Sequence, residues 1–264
     1  MTPAADTFGG YGRPGSLALR AARAADRVVT GAIVCALALV VALSGYALWD
    51  SYQVIAAGTS TLKGPAEEGG LTFAELLALN EDVVGWIALD GTAIDFPVVQ
   101  GEDDYEYLTK SVEGGYSAAG AIYLMAACAA DFSDPYSVVM GHHMANSAMF
   151  GDLDLYLEEG FLEENHTGWL YLPDRSLELE VVAVLQADAY DATVYGVPGT
   201  EASVAALAAL IEEEALFSYG EAIEADDQLI ALSTCASGAG TDMRTVVVCR
   251  VVAETEAVDA STVS

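Results

Sequence analysis

Three side-chain types in this chain form a set that performs acyl transfer when folding brings them together: a thiol, an imidazole and a guanidinium. Cys235 ends the apolar run QLIALSTC (228–235) and is followed by ASGAGTD (236–242), a loop rich in small residues. A thiol at such a strand end becomes a nucleophile if a neighbouring histidine or arginine gives it thiolate character. The chain holds 3 histidines. His142 and His143 end VVMGHH (138–143), and His166 lies in a turn-like context. Adjacent strand residues point to opposite faces, so at most one of the pair faces the thiol. The same divergence argues against zinc held by that pair. Arg244 opens RTVVVCRVV (244–252), where a guanidinium would stabilise an oxyanion. Arg250 has the same parity in that strand, so periodicity leaves both arginines open. Ser233 and Thr234, the polar pair before the thiol, are expected to contact substrate.

The elements that must position these groups are mainly strands. VVGWIAL (83–89), IDFPVVQ (94–100), AIYLM (121–125) and SVVMGH (137–142) are short apolar runs divided by turn residues. GWLYL (168–172), LELEVVAVLQA (177–187), QLIALSTC and RTVVVCRVV continue the pattern. Thr72-x-x-Glu75 reads as a capping box before a short helix whose buried stripe would be Phe73, Leu76, Leu77 and Leu79. Residues 202–216 read as a second helix and 151–165 as a helix or helical turn. Many short strands with few helices point to a closed or nearly closed barrel, which leaves no free edge.

Residues 28–49, VVTGAIVCALALVVALSGYALW, carry no charge and are long enough to span roughly 30 Å of hydrocarbon. The run exceeds the apolar region of an ordinary cleaved leader, so a retained transmembrane helix is expected. Arg13, Arg20, Arg23 and Arg27 precede it and Asp50 follows, which places the N-terminus in the cytoplasm and the bulk outside. The organisation expected is a basic tail (1–27), a membrane helix (28–49), a linker (50–71), a catalytic domain (72–253) and a tail (254–264). The net charge is -31, from 9 basic and 40 acidic residues, and 4 of the basic ones sit in the N-terminal tail. Such a surface repels phosphate backbones and excludes nucleic acid as a partner. The other cysteines, Cys35, Cys128 and Cys249, show no zinc spacing. Pairing of Cys128 with Cys249 is left open.

LSTC (232–235), a loop, and an arginine opening a valine-rich last strand resemble the end of a sortase domain. GHHMANSAMFGDL (141–153) resembles the catalytic-histidine segment of the class B sortases. FAELLALNEDVVGWIALDGTAIDFPVVQGEDDYEYL (73–108) and YSAAGAIYLM (116–125) do so too. The resemblance runs from about residue 72 to about residue 252, with histidine, cysteine and arginine in family order. Two positions depart from the pattern: Ala231 replaces a usual threonine, and MAACAADF (125–132) is unusually alanine-rich.

The resemblance implies a sortase-type closed barrel of about eight strands with an N-terminal helix and a few short helices. It implies a cysteine transpeptidase with Cys235 as nucleophile, His142 as its proton partner and Arg244 as oxyanion stabiliser, which settles what periodicity left open. The implied partners are secreted proteins with a C-terminal sorting signal, and an amine of a peptidoglycan precursor or pilin. No metal or organic cofactor is implied. The alternatives are a pilin-polymerising sortase, a purely hydrolytic cysteine peptidase and a non-catalytic surface binding module.

Overall fold

The structure is a computed structural model that describes residues 15–57, 62–144, 146–235 and 242–257. Most of the expected loop after Cys235 lies outside the described residues. So do most of the basic tail, including Arg13, and the end of the C-terminal tail. The chain divides into two compact units, Met1–Ser51 and Tyr52–Ser264.

The first unit is built from helix α1 (Ser16–Ala57). Its stretch Leu19–Asp50 is long and apolar enough to cross a membrane. Ile33, Leu37 and Leu43 are open on its surface, where a helix packed in a soluble core would bury one face.

The second unit is a strand-built domain. Helix α2 (Phe73–Leu79) starts with both bonds of the capping box. The Glu75 amide donates to the Thr72 hydroxyl, and the Thr72 amide donates to the Glu75 carboxylate. The Thr72 amide and hydroxyl, both donating to the Glu75 carboxylate, hold that carboxyl below its ordinary range. Of the expected stripe only Leu76 is buried, while Leu77 and Leu79 stay exposed. A helix of two turns touches the barrel with one turn only.

The strands are β1 (Val83–Leu89), β2 (Asp95–Val99), β3 (Ile122–Leu124), β4 (Tyr136–Gly141), β5 (Thr167–Tyr171), β6 (Arg175–Asp188), β7 (Phe217–Ser218), β8 (Leu229–Cys235) and β9 (Met243–Glu256). Their spatial order is β5-β1-β2-β3-β4-β8-β9-β6-β7, and β6 also pairs with β5. Eight strands therefore close into a barrel, with the two-residue β7 added outside, as the sequence pattern led one to expect. Two neighbouring pairs, β2 with β3 and β4 with β8, are parallel. Parallel neighbours need long crossovers, and these crossovers carry α3 (Phe161–Glu164), α4 (Ala192–Tyr195), α5 (Glu201–Glu214) and two 3₁₀ turns, Glu106–Leu108 and Gly151–Leu157.

Alternation along the strands builds two apolar layers. Ile87, Leu124, Val139, Leu170, Leu179, Ile230, Leu232 and Val247 fill the interior. Trp86, Val138, Ala231, Val246 and Val248 form an outer face covered by Leu76, Val194, Val204 and Leu207 from the helices. Truncating a fully buried leucine such as Leu232 in a packed interior costs about 2–5 kcal/mol. The stretch 151–165 is a 3₁₀ turn followed by the one-turn α3, not a continuous helix. Asp152 in that turn accepts the Ala93 amide, and Leu153 and Tyr156 drop into one end of the interior cluster. β9 runs on to Glu256, opposite Arg175.

Candidate active site

The β4–β8–β9 segment sets the site. In the parallel pair, Met140 lies beside Ser233 and Gly141 beside Thr234. His142 follows directly on Gly141, the last residue of β4, as Cys235 follows on Thr234. In the antiparallel pair, Cys235 lies directly opposite Arg244, and Arg244 in turn lies opposite Ala187. Cys235 and Arg244 thus face each other across β8 and β9, and His142 comes directly after the end of the neighbouring strand β4. Arg244 is half-buried.

Arg250 shares the parity of Arg244 but lies opposite Leu229, at the other end of β8. Its guanidinium bonds the Glu180 carboxylate at 2.5 Å and lies 3.6 Å from Asp227. The register therefore separates two arginines that alternation could not.

The two histidines diverge. His142 Nε2 lies 2.9 Å from the Leu108 carbonyl. A carbonyl only accepts, so Nε2 carries the hydrogen and Nδ1 is left for proton transfer. His143 Nε2 instead meets the Asp154 carboxylate at 2.8 Å. His166 stacks on Tyr219 with ring centroids 4.0 Å apart.

The Leu108 carbonyl is held by its neighbours. The Tyr107 ring is buried, its hydroxyl donates to Asp82 at 2.6 Å, and Asn80 donates to that hydroxyl at 2.8 Å. Burial pushes the phenol pKa upward. The Lys110 ammonium sits 4.6 Å over the Tyr107 ring and 2.7 Å from Glu106. That contact holds the Glu106 carboxyl below its ordinary range and raises the ammonium. Gly120 has φ +63°, and a side chain there would strike the Tyr107 and Leu108 carbonyls at 2.5 and 2.7 Å. Only glycine lets the chain pass so close to the acceptor of His142.

Ser233 and Thr234 are both fully buried. The Ser233 hydroxyl is 2.8 Å from the Tyr195 hydroxyl. Tyr195 ends α4, whose start is capped by Asp191 accepting the Thr193 and Val194 amides. Thr234 has the opposite parity, shared with Ile230 and Leu232 of the barrel interior.

The other thiols of the barrel domain, Cys128 and Cys249, are free and buried, so they do not pair. Burial pushes Cys128 up to about 11 and Cys249 up to about 12. Neither has the thiolate character that a nucleophile needs.

Sequence reasoning missed the Leu108 carbonyl, Tyr195 and Asp154. A backbone carbonyl carries no signature in sequence; Tyr195 is 38 residues from Ser233, and Asp154 is 11 and 91 residues from His143 and Thr245, with no local pattern to mark either.

No protein-family model matches the chain. Among curated proteins, sortase B of Listeria monocytogenes is 28% identical over 182 residues, covering 68% of this chain and 72% of the relative. Clostridium perfringens sortase B is a structural neighbour with TM-score 0.64 and 28% identity, covering 69% of this chain and 100% of that one. A Streptococcus pyogenes class B sortase involved in pilus biogenesis has TM-score 0.61 and 30% identity, covering 70% of this chain and 100% of that one.

Proposed function

The chain belongs to the class B sortases, a family of cysteine transpeptidases, and on that basis we propose that Cys235, His142 and Arg244 transfer the acyl group of a C-terminal sorting signal to an amine. The observation that carries this reading is the pairing of Cys235 with Arg244 on β8 and β9, with His142 directly after the end of the adjacent β4.

The Cys235 thiolate attacks the scissile carbonyl carbon of the sorting signal, forming a C–S bond and a tetrahedral oxyanion. The Arg244 guanidinium neutralises that oxyanion. As the C–N bond breaks, protonated His142 gives the Nδ1 proton to the departing amine nitrogen. Its Nε2–H stays on the Leu108 carbonyl, so the ring keeps one orientation through the step. The thioacyl-enzyme then meets the acceptor amine. Its nitrogen attacks the thioester carbon, its proton passes to Nδ1 of His142, and C–S cleavage returns the thiolate. Ser233, held by Tyr195, shapes the pocket wall beside the nucleophile, and Thr234 supports it from the interior side.

The donors are secreted proteins bearing a sorting signal. The acceptor is an amine of a peptidoglycan precursor or a pilin lysine, and the pilus-building relative from S. pyogenes supports keeping both. Helix α1 anchors the enzyme as a single-pass protein, with Arg20, Arg23 and Arg27 on the cytoplasmic side and the barrel outside. Both substrates are present at that outer surface.

The full chain in detergent, given quenched sorting-signal peptides and a glycine oligopeptide amine, tests this. The expected result is an amine-linked product that disappears in Cys235→Ala, His142→Ala and Arg244→Ala. Cleavage without amine capture points to a hydrolytic peptidase. Cleavage that survives Cys235→Ala overturns the assignment of the nucleophile.

A further inference from the structure

Asp154, in the 3₁₀ turn Gly151–Leu157, uses its two carboxylate oxygens on two different parts of the chain. Oδ2 accepts from His143 Nε2 at 2.8 Å, and Oδ1 accepts from the Thr245 hydroxyl at 3.1 Å. His143 follows His142 directly, and Thr245, fully buried, follows Arg244 directly. The segment after His142 is not held by its own backbone preferences. Asn146, Ser147 and Met149 all have positive φ, at 60°, 58° and 51°, without being glycine. Such residues persist only where surrounding structure fixes them. The fixing contacts are the Phe150 amide on the His142 carbonyl at 3.1 Å, the bridge between His143 and Met149, and the Asp154 carboxylate.

We propose that Asp154 is a positioning residue for the transpeptidation, clasping the His142 segment to the Arg244 strand through His143 and Thr245. The inference rests on the reading of His142 and Arg244 as the proton partner and the oxyanion stabiliser. Those two groups come from separate strands and act on opposite sides of the reacting carbonyl. Their separation must therefore hold through both half-reactions, and a misplacement of about 1 Å at such a site costs about 100-fold. Asp154 is the side chain that bonds the neighbour of each. A carboxylate suits the task because both of its oxygens accept and both partners donate.

The test uses the full chain in detergent, with the peptide and amine assay above and a thermal melt for each variant. Thr245→Val keeps the shape and removes the hydroxyl. Thr245→Ser keeps the hydroxyl. Asp154→Asn keeps the shape but turns one acceptor into a donor. The expected outcome is a fall in kcat of about 10- to 100-fold in Thr245→Val and Asp154→Asn, with KM within about twofold. Thr245→Ser restores kcat to within about twofold. The double variant falls no further than the worse single one, because both break the same clasp. Wild-type kcat in Asp154→Asn or Thr245→Val overturns the proposal, as does multiplication of the two effects. Activity lost only in proportion to the folded fraction overturns it as well, since that marks a purely structural role. Activity retained by His142→Ala or Arg244→Ala instead brings down the underlying assignment, so the two failures are distinct.

Discussion

Brief alkylation of the folded chain with iodoacetamide at about pH 7.5 should pick out one thiol of the barrel domain. Only the thiolate reacts. Burial pushes Cys128 from 9.0 up to about 11 and Cys249 up to about 12. Each tenfold step in acidity removes a tenfold share of thiolate at neutral pH. Cys128 is thereby suppressed about 100-fold and Cys249 about 1000-fold relative to an ordinary thiol. Both side chains are enclosed, at 5% and 0% exposure, which slows the reagent further. The prediction is easy to read out because trypsin cuts after Arg175, Arg244 and Arg250. Cys128, Cys235 and Cys249 then fall on three different peptides, and Cys249 lies on the short TVVVCR. Cys35, on α1, reports on a fourth peptide and is scored separately. Mass spectrometry over time should show the Cys235 peptide modified at least about 100-fold faster than the other two. In Cys235→Ala neither of the remaining barrel thiols should react until the protein is denatured. Labelling of Cys128 or Cys249 at a rate comparable with Cys235 would refute the argument from burial. Equally slow labelling of all three would refute the assignment of Cys235 as nucleophile.

Asp95 offers a pH test. Desolvation raises its carboxyl pKa, opposed by the bond from the Trp86 indole and reinforced by Glu67. A raised carboxyl pKa means that the folded state binds the proton more tightly. Its contribution to stability is then full in acid and is lost as pH rises through the folded value. Asp95→Asn should therefore melt above the wild type at neutral pH, with the gap closing in acid; a gap independent of pH would contradict this. Gly141→Ala would put a methyl group 2.5 Å from Ile122 Cδ1 and 2.7 Å from Phe150 Cδ2. It should destabilise the domain by about 1–3 kcal/mol in urea titrations and, because Phe150 bonds the His142 carbonyl, lower kcat. Wild-type stability and turnover would show that the Phe150 ring yields.

Legibility followed the range of the interaction. The capping box at Thr72 and Glu75 was readable because both of its bonds are local. The strands were readable because alternation is imposed by one buried face and one covered face. The splitting of His142 from His143 was readable for the same reason, and their partners lie in different elements. That Arg244 and not Arg250 lies opposite Cys235 needed the structure, because it depends on register between β8 and β9. The bulges in β6 at Glu178/Leu179 and Val181/Ala183 also shape that part of the barrel, and nothing local encodes them. The helical turns of 151–165 were readable, but not their division into a 3₁₀ turn and α3, because apolar spacing alone does not mark the break between them. There Asp152 bonds a distant amide, and Gly160 takes a positive φ of 85° before α3.

The parallel pairing of β4 with β8 leaves one side of β4 without its neighbour until β8 has been made. At about 5–20 residues per second, a ribosome needs on the order of 5 to 20 s to go from His142 to Cys235. A β4 formed without β8 presents an open edge on that side, and such an edge recruits foreign strands. The hairpin of β8 and β9 then supplies the missing neighbour, position 235 and Arg244 in a single event. The same hairpin is needed to close the barrel and to set position 235 opposite Arg244. The order of the strands thus leaves positions 235 and 244 to the last hairpin of the chain.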